Sequence, residues 1–268
     1  MRSSSRTAGP LLGVLTVVLT ALCLSAAARA DPSVSLGASF SPDRLGARTT
    51  IGLSFRIGAP PGQVPPALTQ AEVRYPPNLG IALSGLGLAV CAPSTLDAAG
   101  ASGCPANSLM GRGKAVAELR FGAQTVTESA AISIARAPDQ EGHIALLLYV
   151  SGPSPVNTQI LSPAQLLPAG GAFGGRLNIE VPLVASVPGA PDLAIVQLSV
   201  TLGPKGLTYF EQVGRQTLAY QPNGILLPKQ CPRGGFPFAG TFTFLDGSRA
   251  RARSVVPCHR RLRGLRRG

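Results

Sequence analysis

The sequence predicts an all-β protein: an antiparallel β-sandwich, built as one large sandwich or as two packed small ones, with one or two very short helices. Three observations predict this fold class. The 268 residues include 32 glycines and 25 prolines, and both residue types interrupt long helices. Several runs alternate apolar and polar residues, as half-buried strands do. Because 45% of the residues are hydrophobic, the chain can also bury a sizeable core.

Residues 1–30 are typical of a secretory signal peptide. Two arginines precede an apolar run over residues 11–28, and residues 28–30, Ala-Arg-Ala, match the small-residue cleavage pattern. The alternative is that the run is kept as an anchor helix, although its length is marginal for a membrane span. We therefore expect cleavage before Asp31, a secreted protein that can associate with the cell envelope, and no transmembrane segment in the mature chain.

Two alternating runs in the first half of the chain predict half-buried strands. In the first run, the residues that share the apolar face are Ile51, Leu53, Phe55 and Ile57. In the second run, the apolar face holds Val126, Ala130, Ile132 and Ile134, and the polar face holds Thr127, Ser129 and Ser133. Between these runs, residues 94–99 predict a very short helix.

The middle of the chain predicts two further strands and a second short helix. Residues 143–150 are apolar on both faces and predict a central strand. Residues 162–165 predict the helix, with Ser162 as its cap and Pro163 in its first turn. Residues 177–184 predict an edge strand, because Pro182 cannot donate a ladder hydrogen bond.

A third alternating run covers residues 194–202. Its apolar face holds Ala194, Val196, Leu198, Val200 and Leu202, and its mostly polar face holds Ile195, Gln197, Ser199 and Thr201. This pattern predicts one more half-buried strand.

The best hairpin in the chain lies around Asp246-Gly247. Three phenylalanines precede this turn and three arginines follow it: Phe238, Phe242, Phe244, Arg249, Arg251 and Arg253. A two-residue turn would mix the aromatic and charged side chains on one face. A three-residue loop with Gly247 in the left-handed conformation would bury the phenylalanines and turn the arginines outward. Because a slip of one residue exchanges the two faces, we expect the second register.

Four cysteines follow the predicted signal peptide, and an even number in an exported chain indicates disulfides. Cys91 and Cys104 bracket a short loop, and Cys231 and Cys258 flank the hairpin, so we expect these two pairings. Loops of this length stabilise the fold by about 3 kcal/mol each. A zinc site is the alternative, but the sequence has no C-x-x-C spacing, and we expect no metal and no cofactor.

The segments around the cysteines resemble elements of exported β-sandwich proteins from high-GC Gram-positive bacteria. Residues 91–111 are similar to a C…CPxxSxxG element, and residues 227–247 are similar to the closing part of the same modules, with Cys-Pro-x-Gly-Gly followed by Asp-Gly. The resemblance covers about residues 70–258. It implies export, β-structure and disulfides, and it assigns no activity and no catalytic residues.

The net charge of +12 is concentrated near the C-terminus. Eight arginines are candidates for anion binding: Arg249, Arg251, Arg253, Arg260, Arg261, Arg263, Arg266 and Arg267. We expect residues 31–258 to form the β-sandwich domain and residues 259–268 to form a basic disordered tail. The tail can hold the protein on anionic polymers of the cell envelope through counterion release. The alternative is a tail that is only solvated.

Few residues suited to catalysis occur in the chain, which has two histidines. Asp139, Glu141 and His143 alternate, and on one strand face they would suit a secreted hydrolase. Their segment instead has the composition of a solvated hairpin turn, and the sequence has no G-x-S-x-G nucleophile elbow. We therefore expect no catalytic residues.

The sequence thus predicts a non-catalytic secreted or cell-surface protein with a structural or binding role. Its expected partners are anionic cell-envelope polymers or another surface protein. Nucleic acid is not expected as a partner outside the cell. Tyr209 and Phe210 could stack on a sugar, but the chain has no Trp, and we expect these two residues to be core aromatics.

Overall fold

The computed structural model describes residues 32–81, 89–152, 158–184, 192–203, 208–220 and 224–258. The predicted signal peptide and the basic tail lie outside these residues. The described chain consists of antiparallel strands and one short α-helix, which confirms the all-β prediction. No helix in the described ranges is long and apolar enough to cross a bilayer.

The helix α1 covers Pro93–Ala99, and two short 3-10 turns, Gly100–Gly103 and Ala106–Ser108, follow it. The first eight strands are β1 (Ser33–Ser41), β2 (Arg48–Gly58), β3 (Leu68–Tyr75), β4 (Gly80–Ile81), β5 (Leu109–Phe121), β6 (Gln124–Gln140), β7 (His143–Gly152) and β8 (Thr158–Pro168). The others are β9 (Gly175–Glu180), β10 (Ala194–Leu202), β11 (Tyr209–Val213), β12 (Gln216–Tyr220), β13 (Ile225–Leu226), β14 (Phe236–Phe244) and β15 (Arg249–Val256).

Thirteen of these strands form one sheet in the order β15-β14-β3-β9-β8-β7-β6-β5-β10-β2-β13-β4, with β1 paired to β2. The sheet curls until β1 lies alongside β15. Its halves therefore face each other across one apolar interior, as the two layers of a sandwich do. The strands β11 and β12 form a separate two-stranded hairpin.

Aromatic residues fill one part of this interior. The phenylalanines of β14 alternate inward, so that Phe236 and Phe242 are fully buried. Phe236 contacts Phe40 with ring centroids 5.2 Å apart, and Phe242 contacts Phe55 at 5.0 Å, both edge to face. Edge-to-face pairs are a favoured aromatic geometry. The neighbouring part of the core is aliphatic, around Ile132, Ile134, Leu146, Leu148 and Val200.

The hairpin of β14 and β15 has the register that the buried face predicts. Phe242 pairs with Ala250, and Thr241 pairs with Arg251. Gly247 has φ +82°, and the Phe244 N–H donates to the Ser248 carbonyl at 3.0 Å across the three-residue loop. Both predicted disulfides are also present, Cys91–Cys104 and Cys231–Cys258.

The first disulfide holds α1 against the outer face of β6 and β7. Leu96 of α1 is fully buried against Ala135, Leu147 and Tyr149. The helix therefore covers one face of β7 while the interior covers the other. This explains why β7 is apolar on both faces, and the predicted central strand is confirmed.

The predictions for residues 162–165 and 177–184 were wrong. Residues 162–165 belong to β8, whose residues 158–165 pair with β7, because this strand pairing outweighs the local cap signal. The strand β9 is interior, between β8 and β3, and it ends at Glu180. Pro182 follows the strand, so its missing N–H removes no ladder hydrogen bond.

Two further expectations need correction. The strand β10 carries a bulge between Ile195 and Gln197, which turns Ile195 inward instead of onto the polar face. Phe210 is 61% exposed, not a core residue, because it lies on the separate β11–β12 hairpin.

Candidate functional site

Three arginines form a row on the outer face of β15. Arg249, Arg251 and Arg253 are all exposed, and we refer to them as the arginine face. Across β14 they lie opposite Thr243, Thr241 and Ala239. Alternate residues of a strand lie about 6.7 Å apart, so the row spans about 13 Å.

The arginine face has no acidic partner within the described part of the chain. Two strands away from Arg251, Glu72 of β3 pairs with Thr241 of β14. Glu72 is already engaged, because Arg74 Nε lies 2.8 Å and Arg176 Nη1 lies 3.8 Å from its carboxylate. The cations of β15 therefore remain available for an external anion.

The second disulfide fixes the end of the strand that carries this row. Cys231 and Cys258 have Cα atoms 6.0 Å apart, and Cys258 follows β15 by two residues. The other predicted anion-binding residues lie outside the described residues: Arg260, Arg261, Arg263, Arg266 and Arg267.

The segment that contains Asp139, Glu141 and His143 forms the tip of the β6–β7 hairpin. Glu141 has φ +52° and Gly142 has φ +75°, so these two residues make the turn. Asp139 is exposed and accepts a hydrogen bond from Arg136 Nη2 at 3.2 Å. Within the described residues, no group of three or more His, Cys, Asp or Glu side chains is placed to hold a metal ion.

The curled sheet encloses an apolar cavity of about 80 Å³, which we call the upper cavity. Its wall comes from eight strands, β2, β3 and β5 to β10, and from residues that follow β9. Small side chains of β5 and β6 leave the space open: Ala115, Ala117 and Ala130. Among the described residues of the wall, Glu128 and Ser162 supply the only polar side chains.

A second apolar cavity of about 50 Å³, the lower cavity, lies further along the same interior. Successive inward positions of one strand line the two cavities in turn: on β7, Leu148 lines the upper cavity and Leu146 the lower one. On β10, Leu198 lines the upper cavity and Leu202 the lower one, with Val200 between them. Tyr75 borders the lower cavity, and desolvation by burial raises the pKa of its phenol.

Glu128 is the interior residue that the sequence interpretation missed. It lies between Val126 and Ala130 on the apolar face of β6, and it is only 7% exposed. Its carboxyl group has no hydrogen-bond or ion-pair partner in the described ranges. The sequence does contain a signal for this residue, because Glu128 occupies a position of the alternating run that otherwise holds apolar residues. Glutamate is rarely buried without a partner, so such a position indicates a site.

No protein-family model matches the chain, and no curated protein and no solved structure matches it significantly.

Proposed function

We propose that the protein is an exported, non-catalytic binding protein that is held on the cell envelope by an anionic polymer. The arginine face is the observation that carries this proposal. It presents three exposed guanidinium groups in one row, opposite Thr243, Thr241 and Ala239 and not opposite carboxylates. Guanidinium groups suit this task because they remain charged at any physiological pH and bind phosphate or carboxylate through two donors.

Export is supported by two features of the chain. The N-terminal segment matches a cleavable signal peptide. The four cysteines form two disulfide bonds, which persist in oxidising compartments. The anchoring part of the proposal is supported by charge. Five further arginines follow Cys258 in the sequence, so the basic tail comes soon after the arginine face along the chain.

The spacing of the row favours a linear polymer over a single anion. Its charges repeat about every 6.7 Å along a straight strand. A chain with regularly spaced phosphates or carboxylates can contact two or three of the arginines at once. Each such contact releases counterions, so the affinity should fall steeply as the salt concentration rises.

The test measures binding of residues 31–268 to isolated Gram-positive cell envelope across a sodium chloride series. The substitution of Arg249, Arg251 and Arg253 by Gln removes three cations from one row. We expect the slope of log K against log salt to become shallower by roughly one for each arginine that contacts the polymer. Deletion of residues 259–268 in a second variant separates the tail from the row.

The matched control removes three cations from other strands, through Arg48→Gln, Arg112→Gln and Lys114→Gln. All three side chains are exposed, and the net charge of this variant equals that of the row variant. Loss of binding in the row variant with retention in the control supports the proposal. Equal loss in both variants would mean that net charge alone acts, and salt-resistant binding in all of them would contradict an electrostatic anchor.

A further inference from the structure

The upper cavity has three properties that together are typical of a ligand-binding site and not of a packing defect. It is almost entirely apolar, it has a volume of about 80 Å³, and one carboxyl group borders it. Protein cores normally close such spaces, because each one forfeits packing contacts. The strands that surround it instead place small residues there, including Ala117, Ala130 and Gly152.

We infer that the upper cavity binds a small apolar molecule that carries one hydrogen-bond-donating group, an aliphatic amine or alcohol. The apolar part contacts the alkyl wall, and the donor binds the carboxyl group of Glu128. This inference concerns the interior and does not depend on the arginine face.

Glu128 is the reason for expecting a hydrogen-bond donor on the ligand. Glu128 is 7% exposed, and a carboxyl group that lies mostly among apolar side chains is stabilised by a donor or a cation. Within the described chain no donor reaches it, and its cross-strand partner on β5 is Ala117. An ammonium or hydroxyl group on the ligand would supply the missing bond, whereas a second carboxylate would repel Glu128.

One end of the upper cavity is bordered by residues that lie beyond the strands. Pro182, Val184 and Leu193 complete the wall beyond the strands, and the Leu193 N–H donates to the Val184 carbonyl at 3.0 Å. Gly152, the last residue of β7, lies at the same end. Ligand-binding sites of this kind typically have a preformed apolar wall with few polar groups.

The test uses n-butylamine, n-butanol and sodium butyrate, which share one alkyl chain and differ in the polar group. Binding is followed by methyl NMR of residues 31–268, and the Kd is expected near the millimolar range because each probe is so small. We expect the amine and the alcohol to shift the methyl signals of Leu148 and Ile179, which line the upper cavity. Butyrate should leave them unchanged.

The lower cavity is an internal control. Xenon enters apolar cavities without a polar partner, so it should shift methyl signals of the upper cavity and also those of Met110 and Leu146, which line the lower one. The amine should act on the upper cavity alone.

Two variants give the decisive comparison. Glu128→Gln preserves the shape of the side chain and should weaken n-butylamine binding about tenfold or more, because the charge-assisted bond is lost. Glu118→Gln on the adjacent strand β5 makes the same chemical change and should bind as the unmodified protein does, since Glu118 does not line the cavity. A third variant, Ala130→Leu, fills the space and should abolish binding of the amine.

Three results would overturn the inference. The first is butyrate binding as tightly as the amine. The second is an equal affinity for n-butylamine in the Glu128→Gln and Glu118→Gln variants. The third is the absence of any shift at the upper-cavity methyl groups with either donor probe.

Discussion

At the scale of single residues, close approach between neighbouring strands determines where a side chain can be placed. Gly113 of β5 is a clear example, since a Cβ atom there would lie 2.4 Å from the backbone oxygen of Ser199. On β9, a Cβ atom at Gly175 would lie 2.1 Å from the hydroxyl of Tyr75. The Tyr75 ring thus occupies the space over that glycine, as aromatic residues do beside strand glycines.

We expect Gly113→Ala to destabilise the fold by about 2–3 kcal/mol, because a backbone oxygen cannot move aside as a flexible side chain can. Gly152→Ala is the matched control. A Cβ atom at Gly152 meets its nearest neighbour, Ala130 Cβ, at 3.6 Å, an ordinary contact. We expect its free energy of unfolding to change by about 0.5 kcal/mol or less. Urea unfolding of both variants tests this, and equal losses would contradict the steric account.

At the scale of elements, the partners of a strand can override its local sequence signal. The β14–β15 hairpin is an exception, because its alternation is so strong that a single register buries every phenylalanine. The strand β8 shows the opposite case. Its Ser-Pro pair favours a helix start locally, yet it is paired on both sides within the sheet.

The same Phe→Ala substitution should lower the free energy of unfolding much more in the main sheet than in the β11–β12 hairpin. We expect Phe242→Ala to cost about 3–5 kcal/mol, since Phe242 is fully buried and contacts Phe55. Phe210→Ala should cost less than about 1 kcal/mol, because Phe210 is mostly exposed. Denaturant midpoints give the comparison, and a large loss in the Phe210 variant would show that the hairpin packs on the core.

Sequence reasoning predicted those parts of the fold whose information is local. The strands around Phe55 and Leu148, the short helix α1, the hairpin register and both disulfides follow from alternation, spacing and turn chemistry. It failed at Pro182 and Ile195, where a distant strand decides the outcome, and at Phe210, which lies on a hairpin outside the main sheet. The candidate sites divide in the same way. The arginine face is a local pattern, whereas the upper cavity exists only when eight strands meet.

At the scale of the whole molecule, the sheet is closed by contacts between distant parts of the chain. The strand β2 pairs with β10, and β3 pairs with β14. The two disulfides do not span these long-range pairs. Cys91–Cys104 closes a separation of 13 residues and Cys231–Cys258 one of 27, each within its own region.

We expect removal of either disulfide, by paired Cys→Ser substitution, to lower the free energy of unfolding by about 3 kcal/mol in the chain-entropy model. Loss of Cys231–Cys258 should cost about 0.6 kcal/mol more than loss of Cys91–Cys104, because its loop is twice as long. Urea unfolding of the two double variants measures both values. Unchanged midpoints in either variant would show that its disulfide does not constrain the unfolded chain.

The pairing of β3 with β14 also sets an order in time. Thr241 is the partner of Glu72, about 170 residues later in the chain. At a synthesis rate of 5–20 residues per second, roughly 10–30 s pass between the emergence of these two strands. During that interval one edge of β3 has no native neighbour, and exposed strand edges invite pairing with other chains. Until the last hairpin is made, this edge of β3 is therefore the part of the sheet that needs protection from such pairing.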